Sequence, residues 1–194
     1  MNKAEKTKSF IIEKTATIFN TKGFAGTSLN DITEATGLTK GSVYGNFKNK
    51  DEVALAVFEY NTKKMQSLFN SEIEKRKSYK EKLLVYPEIY KNSFTQLFTA
   101  GGCPILNTAI ESDDTHPQLK EVAKNAFIYW KDSIVYLIEK GIEQQEFKTE
   151  TNPEEAALTI LAMIEGAVMI TKLTGKLNYL TALMSSLKTQ INTY

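Results

Sequence analysis

The chain is poor in the residues that carry most metal, redox and disulfide chemistry. It holds one cysteine, one histidine, one tryptophan, four prolines and, among 24 basic residues, a single arginine, Arg76. One cysteine excludes a disulfide within one chain and suits a reducing cytoplasm. One histidine, His116, leaves no His/Cys cluster spaced for zinc, so neither a metal nor another cofactor is expected. The amino-terminal segment Met-Asn-Lys-Ala-Glu-Lys-Thr-Lys-Ser lacks the apolar run of a signal peptide. The longest apolar block, Ala156 to Ile170, is interrupted by Thr159, Glu165 and Gly166 and is too short for a membrane span. The expected location is therefore cytoplasmic, with no membrane partner. A Gly-rich phosphate loop and a nucleophile–base set are also missing, which disfavours an enzyme.

What is present is a chain of 194 residues, 42% of them hydrophobic, enough to bury the cores of one small and one larger domain. The net charge of +1 says little, but its distribution is uneven. Residues 1–50 hold eight lysines against four acids, net +4, which leaves −3 for the remainder. The basic surface is thus concentrated at the amino terminus.

Within that basic segment, residues 22–50 carry the densest structural signals. Ser28 is a helix cap with Asp31 at the reciprocal position of a capping box. Leu29, Ile32 and Ala35 follow at helical spacing. Gly37 suits the left-handed exit of that helix, and Leu38 plugs the turn. Thr39 caps a second short helix expected to run to about Phe47, with Val43 and Phe47 inward and Lys40, Ser42, Tyr44 and Asn46 outward. Asn49 caps a third start, with Glu52 three places on. The layout is a helix-turn-helix whose second helix is basic and hydroxyl-rich, the form that lies in a DNA major groove. Thr27, Ser28, Thr39, Lys40 and Lys50 are candidates for phosphate contacts, Thr27 and Ser28 by their hydroxyls, the helix start at Thr39–Lys40 by its free amides and Lys50 as a point charge. Gly41 admits close backbone approach. Tyr44 offers its hydroxyl to phosphate or its ring to a thymine methyl, and Asn46 suits an adenine edge. Arg76 lies outside this segment, so guanidinium readout of guanine from the second helix is excluded.

Gly23-Phe24, Thr27-Ser28, Ile32, Ala35, Gly37, Lys40-Gly41-Ser42-Val43-Tyr44, Phe47 and Lys50 together resemble the TetR-type bacterial transcriptional repressors. The leading helix, with Ile12, Ala16 and Phe19 on one face, also fits. Gly102-Cys103-Pro104-Ile105-Leu106-Asn107 resembles a short segment of the family's ligand-binding domains. Asn46 stands where many members have His, and Gly45 where many have an aromatic or His, which blurs the DNA sequence read. The resemblance implies an all-α fold of about nine helices. A three-helix DNA-binding domain (residues 1–50) is expected to precede a helical ligand-binding and dimerisation domain (51–194).

The remainder reads as helical. Helices are expected from Asp51 to about Lys77 (with Val53, Val57, Tyr60, Met65, Leu68 and Phe69 apolar), from Lys80 to Thr99 with Pro87 a kink, and from Pro104 to near Ser112. A long helix should follow from His116-Pro117 to about Gln145, with His116 at its start, and another should start at Asn152-Pro153-Glu154-Glu155. Gly175 separates the last two. Ala156–Ile170 is apolar nearly all round, and Leu177, Leu180, Met184, Leu187 and Ile191 form a heptad-like seam. With Leu158 and Leu161 these residues are the expected homodimer interface, the four-helix arrangement the resemblance implies. Packing inside the same subunit is the alternative.

An inducer pocket is likewise implied by the resemblance. Its candidate lining is Tyr86, Tyr90, Phe94, Phe98, Phe127, Trp130 and Met163, with plain core packing the alternative. Glu165 is read either as a ligand contact there or as a hydrogen bond across the dimer. Cys103, at a helix start, is read as a buried packing residue, with redox sensing the lesser alternative. The expected partners are double-stranded operator DNA, a second copy of the chain and a small apolar or aromatic inducer. The alternative is a DNA-binding dimer with no small-molecule trigger, controlled by a protein partner or by its own concentration.

Overall fold

The computed structural model of the chain describes residues 2–97 and 101–194, and among them every regular element is a helix. In order these are α1 (Lys3–Gly26), α2 (Leu29–Thr36), α3 (Lys40–Tyr44), α4 (Lys50–Glu74), α5 (Tyr79–Leu97), α6 (Pro104–Ser112), α7 (Pro117–Glu143), α8 (Pro153–Thr174) and α9 (Leu177–Ile191). The punctuation is chemical. Asn2 and Glu5 close one capping box at α1, and Ser28 and Asp31 a second at α2. Gly37 and Gly175 end α2 and α8 at φ +67° and +69°, a left-handed geometry that a Cβ would strain. Asn152 caps α8 by accepting from the amides of Glu154 and Glu155, and Pro153 takes the first helical position.

The helices pack as two compact units, residues 1–64 with 103–124, and residues 65–102 with 125–194. The packing division therefore differs from the sequence division at residue 50. α6 and the first turns of α7 pack with the amino-terminal helices because Asn107, Glu111 and His116 bond to them.

The first unit encloses a core of Ile11, Ala16, Phe19, Ile32, Val43, Phe47, Val53, Ala54, Val57 and Leu119. Ile11 rather than Ile12 is the fully buried isoleucine of α1. Two helices are shorter than their sequence pattern suggests. α3 stops at Tyr44, and Phe47 reaches the core from the following turn. α4 stops at Glu74, three residues short of Lys77.

In the second unit α9 packs on α8 and α5. Leu180, Met184, Leu187 and Ile191 are at most 1% exposed within a single chain, and Leu161 is 2% exposed. These five expected dimer contacts are core residues of their own protomer. A 3–4 spacing marks an apolar stripe but not the surface it meets, and α8 and α5 already cover this one. α8 is long and apolar enough to cross a membrane, contrary to the expectation from Ala156–Ile170. Its inward side is protein core, formed by Ala156, Ala157, Ile160, Leu161, Ile164, Ala167, Val168 and Thr171.

The opposite side of α8 is different. Leu158, Ala162, Met169 and Leu173 are exposed, Leu173 by 82%, and an added Cβ on Gly166 would meet nothing within 4 Å. Leu177, at the start of α9, is 46% exposed. Of the expected interface residues, Leu158 and Leu177 alone are outward.

Candidate nucleic-acid interface

The first unit holds α3 between two self-sufficient turns. Thr36 anchors the exit of α2 by donating to Ile32 O, and its hydroxyl accepts from the amide of Leu38. Thr39 accepts from the amide of Ser42 at 3.2 Å. Val43 and Phe47, buried, pin the inner face. Lys40, Gly41 and Tyr44 are exposed, and the Lys40 ammonium lies 6.0 Å from the centre of the Tyr44 ring. This cation–π contact holds the two outermost side chains of α3 together.

Several sequence candidates stand elsewhere than expected. Thr27 is wholly buried and donates to Gly23 O at 2.6 Å, so its hydroxyl is closed to phosphate. The α2 amino terminus carries its own anion. Asp31 accepts from the amide and hydroxyl of Ser28, both at 2.7 Å, and pairs with Lys22. Lys22, then these Ser28 bonds, hold the Asp31 carboxyl well below the usual carboxylate range. Asn46 folds back, its amide donating to Ser42 O at 2.9 Å, which commits one of its two N–H groups to the helix backbone. Lys50 turns inward. Its ammonium donates to Phe24 O at 2.8 Å and Thr27 O at 3.0 Å and lies 4.1 Å over the Phe24 ring. A phosphate contact was expected there, and a cap on the end of α1 is found.

The charges left for a polyanion are therefore specific. Among residues 2–50, Lys3, Lys6, Lys14, Lys40 and Lys48 are exposed and form no ion pair. Lys8 pairs with Glu52 at 3.2 Å and stands 5.0 Å over Phe47. The Lys48 amide, then Lys8, hold Glu52 below its ordinary range, while Asn49 accepts from the Glu52 amide at 2.9 Å to cap α4. Lys48 lies in the turn between α3 and α4, where helix periodicity gives no signal for it. His116 does mark a helix start. Its Nδ1 accepts from the amide of Leu119, so Nε2 carries the proton and donates to Asp51 at 2.8 Å.

In the second unit Tyr86, Tyr90, Phe94 and Trp130 are buried together with Phe69. Phe69 stacks on Tyr86 with centroids 5.1 Å apart and stands 5.9 Å from Tyr90 and 6.3 Å from Trp130. Burial pushes the Tyr86 hydroxyl up, so it stays protonated. Phe69 was legible only as an apolar position of its helix. Phe127 is 37% exposed, Met163 and Glu165 are half-buried on α8, and Phe98 lies outside the described residues. Two open clefts of about 310 and 270 Å³ in this unit are lined by other side chains, Asn152 and Gln190 in one, Arg76 and Glu88 in the other. Cys103 is wholly buried. Among the described residues no group of three or more His, Cys, Asp or Glu is gathered for a metal.

Two family models match. Residues 11–57 match "Bacterial regulatory proteins, tetR family" and residues 80–187 match "Tetracyclin repressor-like, C-terminal domain". The chain is 46% identical to a TetR-family transcriptional regulator from Cytophaga hutchinsonii, with a TM-score of 0.94 over 98% of this chain and 96% of that one. A TetR transcriptional regulator from Chloroflexus aurantiacus is 35% identical, with a TM-score of 0.92 over the same shares. An HTH-type transcriptional regulator from the lacX 3' region of Lactococcus lactis subsp. lactis is 28% identical over 94% of this chain and 92% of the relative. These relatives are transcriptional regulators, not enzymes.

Proposed function

Since the chain belongs to the TetR family of bacterial transcriptional regulators, we propose that it is a cytoplasmic repressor that binds a palindromic operator as a homodimer and is released by a small apolar or aromatic ligand. The observation that carries the reading is the exposed Lys40–Tyr44 pair on a helix locked by caps at both ends, in the basic part of the chain. Lys40, Lys48, Lys3 and Lys6 then neutralise phosphates, and Lys40, Gly41, Ser42 and Tyr44 meet the base edges. Two such helices on a twofold axis meet successive major grooves about 34 Å apart. The functional division, 1–50 for reading and 51–194 for dimerisation and ligand, is part of the same proposal.

For the homodimer, support comes from the outward stripe of Leu158, Ala162, Gly166, Met169 and Leu173, continued by Leu177. A contiguous exposed apolar strip with small residues at its middle suits a self-complementary helix pair. For the ligand, support comes from the ring cluster of Phe69, Tyr86, Tyr90 and Trp130, which fits an aromatic guest that exchanges places with one ring. The close packing of those rings on one another favours the second reading, a dimer without an inducer. A thermal-shift screen of aromatic compounds separates them: a dose-dependent rise in Tm supports the inducer, and a flat response across the screen supports the alternative.

The central test is selection of duplexes from a randomised library with the full chain, followed by Tyr44→Ala. Recovery of an inverted repeat, lost on substitution while the dimer persists, is the expected result. Recovery of no preferred sequence defeats the reading.

A further inference from the structure

α1 is broken before it ends. At Gly23 the backbone takes φ +74° and ψ 179°, and the helical ladder is interrupted. In an unbroken helix the Phe24 amide would donate to Asn20 O, four residues back. Here each half of that bond is met by α6. Glu111 accepts from the amides of Phe24 and Ala25, both at 2.8 Å, and Asn107 donates to Asn20 O at 3.1 Å. Asn107 and Glu111 are four apart and so share one face of α6. The carbonyls beyond the break are met by Lys50, which takes Phe24 O and Thr27 O. Gly23 admits the carboxylate: a Cβ there would stand 2.5 Å from Glu111 Oε2.

We propose that Asn107 and Glu111 are positioning residues for DNA reading, a two-pronged clasp in which side chains of α6 stand in for the severed turn of α1. The inference rests on the DNA-reading assignment above. The clasped segment, Phe24 to Gly26, leads directly into Thr27 and Ser28, the cap that starts α2, and α2 leads through Gly37 into α3. The clasp therefore fixes where the helix-turn-helix begins. Without it two amides and a carbonyl lose their partners, and the exit of α1 no longer has one direction. Glu111 itself is committed to backbone amides and touches no phosphate in this role.

The test uses the full chain and the tightest duplex that the unsubstituted protein recovers from a randomised library. Glu111→Ala weakens that duplex by about tenfold or more, the equivalent of one good charged hydrogen bond. The salt slope stays unchanged, because no counterion-releasing contact is removed. Hydrogen exchange quickens at the Phe24 and Ala25 amides and not at Ile11 or Val43. Glu111→Gln, which keeps one acceptor and the side-chain shape, shows an intermediate loss and covers the case in which the alanine variant fails to fold. Gly23→Ala costs less affinity in the Glu111→Ala background than alone, because the carboxylate it strikes is gone. Glu111→Ala binding within about twofold of the unsubstituted protein overturns the clasp. So does a weaker binding with a flattened salt slope, or exchange that quickens throughout the chain. If the unsubstituted protein recovers no duplex, the DNA assignment falls instead.

Discussion

Lys50 and Asp31 show how far a side chain's role depends on what its neighbours leave unsatisfied. In the sequence Lys50 reads as a phosphate contact and Asp31 as the reciprocal half of a cap beside phosphate-binding hydroxyls. The break in α1 claims Lys50, and the amino terminus of α2 claims Asp31. Two expectations follow at this scale. Lys40→Ala and Lys48→Ala each reduce the salt slope of DNA binding by about one unit, whereas Lys50→Ala weakens binding and leaves the slope in place. Titration of the binding constant against salt decides between them. Asp31 gives a pH dependence of known sign. Its carboxyl is held below the ordinary range in the folded chain, so its contribution is fully present above the unfolded value near about 4 and fades as the pH falls toward the folded one. Asp31→Asn should lower Tm at neutral pH and shrink the difference from the unsubstituted protein on acidification, read by melting curves at several pH values. The caps themselves, Ser28, Thr39, Asn49 and Asn152, are legible in the sequence because each acts on its own helix within three residues. Lys50, Asn107 and Glu111 are not, since their partners lie 23 to 87 residues away and arise only from a backbone break.

Helices come out of the sequence more reliably than their surroundings. Starts at Ser28, Pro104, Pro117 and Asn152–Pro153 and the stops at Gly37 and Gly175 all follow from local backbone chemistry. The seam of α9 shows the boundary of that kind of inference. Leu180, Met184, Leu187 and Ile191 form a stripe in any helix of this sequence, yet only the tertiary structure reveals that α8 and α5 cover it. Leu187→Ala should therefore destabilise the folded chain by about 2–5 kcal/mol in denaturant melts, through the cavity left in a filled core. Its dimer should persist at concentrations where the protein stays folded. Leu173→Glu should do the reverse, giving a folded monomer by sedimentation with an unchanged helical signal. If Leu187→Ala dissociates a still-folded protein, the assignment of the two faces of α8 and α9 is inverted.

For the whole molecule, chain order and packing divide the residues differently. α6 follows α5 in sequence but packs with α1, and α4 and α7 each contribute to both compact units. A boundary drawn at residue 50 separates the reading residues from the rest. A boundary drawn by contact keeps residues 103–124 with them. An isolated 1–64 fragment should then expose Phe19, Ala54 and Val57, lose the clasp on α1 and bind the selected duplex weakly or not at all, while the full chain binds it. Circular dichroism and a binding isotherm on the fragment measure both effects. Trp130, the one tryptophan, lies against Phe69 and Tyr86 in the second unit. Its fluorescence is accordingly a built-in, label-free reporter of that half alone. Emission will follow events among residues 65–102 and 125–194 and stay silent when the amino-terminal helices melt, so the difference between the fluorescence and far-ultraviolet transitions gives the order in which the two halves unfold.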